Sequence, residues 1–144
     1  MINKRTVALV TSGLLVAAAA LPSAASAQDY EWDIAEEGNP PSGMTCVETF
    51  RSEVCFQTKG DKVWVQDTEP DSRSALAAWA VDGRFGYCRN RSGFESWARC
   101  NKDFPEYTDV EFLAGTYNKS GPGGPDDYIH KHWSRTESVW NTPD

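Results

Sequence analysis

Three groups of side chains in this sequence could do chemistry. The first is His130-x-His132, which on a strand puts both imidazoles on one side, with Asp126 and Asp127 just upstream. Two imidazoles and a carboxylate suit a divalent cation. The second is GYCRNRSGFESWARC, residues 86–100, where Arg89, Arg91 and Arg99 gather guanidinium groups in an acidic chain. Such forks grip carboxylates and phosphates through paired N–H donors. The third is tryptophan: the chain has six, and Trp64 sits between Val63 and Val65. If those valines face a core, the period of two turns Trp64 to the opposite side. There a flat indole can stack on a sugar ring or anchor a protein contact.

Enzymatic readings find less support. Nucleophilic catalysis needs a Ser or Cys beside a base that a third group orients. The two histidines are the only imidazole bases, and no Gly-x-Ser-x-Gly turn occurs. Glycoside hydrolysis needs two carboxyl groups at a fixed separation across a cleft. With 21 acids some pair always exists, so composition carries no signal. The metal reading is opposed by residues 120–127, SGPGGPDD, a loop by composition. Metal ligands must be held to within about 0.2 Å, which such a loop does poorly. No catalytic residue, metal or cofactor is expected. The expected ligand-binding residues are Trp64, Arg89, Arg91 and Arg99.

Where these groups operate follows from the start of the chain. Residues 1–27 read as a signal peptide: Lys4 and Arg5, an apolar run from Val7 to Ala20, then Ala25-Ser26-Ala27 as a small-residue cleavage site. The run is interrupted by Thr11, Ser12 and Gly13 and falls short of the roughly 20 apolar residues that span a bilayer. A secreted, extracellular protein is expected. Cleavage takes Lys4 and Arg5 and no acid from a net charge of −7, leaving −9. Counterion release on nucleic acid and docking on anionic lipid both need clustered bases, so neither partner is expected. An extracellular protein or glycan is, with the chain acting as a monomer.

Export also decides how the cysteines are read. Cys46, Cys55, Cys88 and Cys100 all follow the leader, and an even number in a small exported chain implies two disulfides. Local pairs, Cys46–Cys55 and Cys88–Cys100, are favoured because each spans a short segment that can turn back on itself. The crossed pairings stay open. Each local bridge would contribute about 3 kcal/mol by loop entropy. The second would clamp residues 86–100 as a hairpin or loop, with Trp97 inside.

The elements that must position these residues alternate with period two. Residues 28–44 carry five acids and no base and run into Asn39-Pro40-Pro41-Ser42-Gly43, so a flexible acidic arm and linker is expected. Residues 45–144 form the folded domain. Val54 and Phe56 alternate with Cys55 and Gln57, Lys59-Gly60-Asp61 turns, and residues 62–66 alternate again. Ser74–Val81, SALAAWAV, has helix-forming alanines but the length of a strand, with Ala75, Ala77, Trp79 and Val81 on one face. It is read as a strand forming a hairpin with residues 62–67. Asp109–Tyr117 follows, with Val110, Phe112 and Ala114 opposite Glu111 and Leu113; residues 128–133 are a last strand before a frayed tail. Short strands separated by turns define an all-β fold, a small antiparallel β-sandwich or partly open barrel with two disulfides.

The order Val54-Cys55-Phe56, residues 61–68 (DKVWVQDT), Ser74 to Trp79, Cys88-Arg89-Asn90, residues 97–101 (WARCN) and Val110 to Phe112 resembles small exported proteins of actinobacteria. The resemblance covers residues 54–133. It implies secretion and a β fold and lends no activity. The expected function is a secreted, non-enzymatic binding module. One alternative is a proteinase inhibitor presenting the 88–100 loop, since a clamped loop binds at low ordering cost; the other is a small extracellular hydrolase.

Overall fold

A computed structural model describes residues 30–118, the backbone of residues 129–130, and residues 133–143. The leader at 1–27, the loop at 120–127, His132 and the side chain of His130 lie outside these residues. All regular structure described is β. Sheet A runs β1 (Glu31–Ile34), β7 (Arg84–Asn90), β6 (Ser74–Val81), β9 (Asp109–Tyr117) and β10 (Ile129–His130), and β11 (Glu137–Trp140) also pairs with β9. Sheet B runs β2 (Glu36–Glu37), β8 (Trp97–Asn101), β5 (Lys62–Asp67), β4 (Ser52–Gln57) and β3 (Thr45–Glu48). Only β1 with β7 is parallel among these pairings.

The sheets pack as a sandwich because each strand turns its apolar set inward. Ala75, Ala77, Trp79 and Val81 of β6 and Val110, Phe112 and Ala114 of β9 face Val54, Phe56, Val63, Val65 and Ala98 of sheet B. Each large side chain so buried stabilises the fold by roughly 1.5–3 kcal/mol before chain entropy is counted. The small residues of β6 leave room between the sheets for Trp79, whose ring lies 4.7 Å from that of Phe104. Burial thus overrides the helix preference of the alanines.

Both disulfides are the local pairs, Cys46–Cys55 and Cys88–Cys100. They do different work. Cys46 and Cys55 are register partners on neighbouring strands. Cys88 on β7 and Cys100 on β8 join sheet A to sheet B inside the core. Residues 86–100 are therefore an arch between sheets rather than a clamped hairpin. The expected β5–β6 hairpin is corrected in the same way, since β5 lies in sheet B and β6 in sheet A. The tight hairpin is β6–β7, closed by Asp82 (φ 45°) and Gly83 (φ 77°), a pair suited to two left-handed positions.

Two segments expected to be loose are structured. The acidic arm supplies β1 to sheet A and β2 to sheet B, so it straps the edge where the Cys88–Cys100 bridge also ties the sheets. Its charges find a cation: Lys102 Nζ lies 2.6 Å from both Glu31 and Asp33, and Arg84 pairs with Glu31 at 2.8 Å. At the other end β11 pairs with β9, and fully buried Asn141 donates from Nδ2 to Asp61 at 2.9 Å.

Candidate ligand-binding face

The residues expected to bind ligand are divided between the two outer faces. Trp64 does turn away from the core, as its alternation with Val63 and Val65 requires, yet it is only 3 % exposed. Its register partners are Cys55 and Arg99, so Cys46, Cys55, Trp64, Arg99 and Glu36 form one row across the outside of sheet B. The Arg99 guanidinium covers the ring at 5.5 Å. Gly38 crosses the same spot, where a Cβ would meet the Arg99 guanidinium and lie 3.3 Å from the indole. Trp64 Nε1 donates to Gln57 at 2.9 Å. The expectation of an exposed Trp64 is corrected: Gly38 and the Arg99 guanidinium cover it. Trp97 is corrected too, since it shares the outer side of β8 with Arg99 and is half-buried there.

Arg89 belongs to the opposite sheet. Cys88 and Asn90 point into the core, so Phe85, Tyr87 and Arg89 point out of sheet A. Arg89 Nε donates to Ser74 Oγ at 2.9 Å, and its guanidinium lies 4.2 Å from the Tyr117 ring centroid. Burial lowers its pKa, the neighbouring charge of Arg91 lowers it further, and Tyr117 opposes both. Guanidinium stays protonated regardless. Arg91 is exposed. Among the described residues, no carboxylate pairs with Arg89 or Arg91, whereas Arg51, Arg84, Lys102 and Arg135 all have one.

Arg89 ends a run of aromatic rings. Phe85 contacts Tyr30 at 6.3 Å, Tyr30 contacts Tyr87 at 5.5 Å, Tyr87 contacts Trp32 at 5.6 Å, and Trp32 contacts Tyr117 at 5.1 Å. Under one half of the belt the floor is Ala78 and Ala80 of β6, which stand opposite Tyr87 and Phe85. Short side chains there let rings from the flanking strands lean over the sheet. Trp133 adds a further ring over Gly115, where any Cβ would collide with the indole. The rings are tilted to one another by 37–78°, with Tyr117 the most buried. Exposed Ile34 (46 %) borders them as the register partner of Arg89.

The belt was hidden in the sequence because Tyr30 and Trp32 fall in the stretch that reads as a flexible arm. Once Cys88 is known to face the core, alternation alone puts Phe85 and Tyr87 beside Arg89.

Two further clusters among the described residues are structural. Cys46, Glu53 and Cys55 cluster as a metal site would, but the sulfurs are bonded to each other and offer no thiolate. All four cysteines are paired, so none is a nucleophile. The 91–96 loop is held by Asn90, whose Nδ2 donates to Val65 O at 2.9 Å and Ser96 O at 2.8 Å. Phe94 and Glu95 (φ 67°) form a tight turn closed by Ser96 N to Gly93 O.

No protein-family model matches the chain, and no match was found among curated proteins or solved structures.

Proposed function

We propose that this protein is a secreted, non-enzymatic module that binds an extracellular glycan along the outer face of sheet A. The observation that carries this reading is the continuous belt from Phe85 through Tyr30, Tyr87 and Trp32 to Tyr117. Sugar rings present C–H faces that stack on aromatic rings, while their hydroxyls stay in water. Anchors of protein interfaces usually project into a partner's pocket. The belt rings instead lean on one another along the sheet, with centroids 5.1–6.3 Å apart, which suits a ligand laid across them. Their mutual tilt does not make the flat platform that a crystalline polysaccharide needs, so a single soluble chain is the better occupant. Two disulfides fit an oxidising compartment and hence export.

The inhibitor alternative has less physical basis. The bridge meant to clamp its loop lies between the sheets, and Phe94–Glu95 occupies a turn rather than an extended segment.

The test is affinity electrophoresis against a panel of soluble polysaccharides, with tryptophan fluorescence as a second readout. At least one polymer should retard the native protein. Trp32→Ala should lose that retardation while keeping native circular dichroism, and Trp140→Ala, exposed and outside the belt, should keep it. Retardation by no polymer, or an unaffected Trp32→Ala, would overturn the reading.

A further inference from the structure

We infer that the ligand is an acidic glycan, whose anionic groups are held by Arg89 and Arg91 at the Tyr117 end of the belt. The inference rests on the glycan-binding reading and adds the ligand's charge. In a chain of net charge −7, Arg51, Arg84, Lys102 and Arg135 each meet a carboxylate, while Lys59, Lys62, Arg73 and Arg99 have none among the described residues. What distinguishes Arg89 is its place beside the aromatic belt: no described carboxylate neutralises it or the exposed Arg91 two residues on, and its guanidinium lies 4.2 Å from the Tyr117 ring centroid. Two like charges held together gain from an anion that bridges them.

Arg89 is also held in place. Ser74 fixes its Nε and Tyr117 supports the flat side of its guanidinium, leaving the terminal nitrogens as the remaining donors. A fork fixed before binding loses less freedom when it meets a carboxylate or sulfate. Arg91, exposed two residues on, can supply a second contact. Sugar rings would stack on half-buried Trp32 while their anionic substituents reach the arginines. Since both uronate and sulfate suit a guanidinium fork, the two sources are separated experimentally.

The experiment compares polygalacturonate with its methyl ester and dextran sulfate with dextran, by affinity electrophoresis of the full protein at low and moderate salt. The acidic member of at least one pair should bind, and its neutral counterpart should bind at least about tenfold more weakly, the equivalent of one charge-assisted contact. Which pair responds identifies carboxylate or sulfate. Arg91→Ala should weaken acidic binding by a similar factor without altering thermal stability. Arg89→Lys keeps the charge and loses the fork, and it should also weaken binding. Trp32→Ala should lose it altogether.

Equal binding of neutral and acidic polymers would overturn the acidic inference and leave the glycan reading intact; no binding at all would remove both. Equal binding of polyglutamate would also overturn it, because charge alone would then suffice. So would self-association that Arg91→Ala abolishes, since a second copy would then occupy the face.

Discussion

The indole of Trp64 lies beneath the guanidinium of Arg99, 5.5 Å from ring centroid to Cζ, on the side of sheet B turned away from the core. Gly38 closes over both. This outward position is buried because the chain preceding β3 folds back across it. An aromatic residue on an outer face is therefore available to ligand only where nothing crosses it.

Trp64 is accordingly expected to matter for stability. Trp64→Ala should cost about 3–5 kcal/mol, as truncation of a buried large aromatic does. Trp64→Phe should cost less, losing mainly the hydrogen bond to Gln57, worth about 1 kcal/mol. Urea denaturation measures both. Polysaccharide binding by the folded fraction of either variant should match the native protein.

Lys102 fastens the arm that brings Tyr30 and Trp32 to the belt. Its side chain is 7 % exposed and meets Glu31 and Asp33 at 2.6 Å each, while those carboxylates remain over a third exposed. Removing one member of a fully buried pair costs about 3–5 kcal/mol, and exposed pairs contribute below about 1. An intermediate loss, about 1–3 kcal/mol, is expected for Lys102→Ala. Hydrogen exchange should show β1 amides losing protection before those of β4, and glycan binding should fall with them.

The same cluster sets an acid dependence. The Lys102 hydrogen bond holds the Glu31 carboxyl below its ordinary 4.5, Arg84 adds to this, and burial opposes it. A lowered folded pKa contributes stability above the unfolded value that is lost as pH falls through the folded one. Thermal melts should show this loss beginning below about pH 4.5, and Lys102→Ala should flatten it.

Asp67 has the opposite sign. Burial raises its pKa, with Asp71 and Glu69 adding to the rise, and the amide of Glu69 opposing it. The folded state holds this proton longer, so stability falls as pH rises from the ordinary 3.8 through the folded value. Asp67→Asn keeps an acceptor for the Glu69 amide and removes the buried charge. It should raise neutral-pH stability by about 1 kcal/mol and abolish that slope in melts between pH 4 and 7.

Sequence by itself determined what depends on neighbours in the chain. Period-two alternation placed Ser74–Val81 and Asp109–Tyr117 as strands and put Trp79, Phe112 and Val110 on their inward faces. Short spacing favoured the two disulfides that form. The all-β class followed from strand and turn chemistry. Tertiary structure alone decided which sheet each strand joins and what covers each outer face. A turn between β5 and β6 looks the same locally whether the chain pairs back or crosses to the other sheet. The arm reads as disordered because its acids repel one another, and Lys102, the cation that reverses this, lies 71 residues from Glu31 and 69 from Asp33. Arg89 and Arg99 sit ten positions apart yet end on opposite outer faces, because the arch between them changes sheets. Alternation is a local signal; burial of an outward side chain depends on which distant segment comes to lie over it.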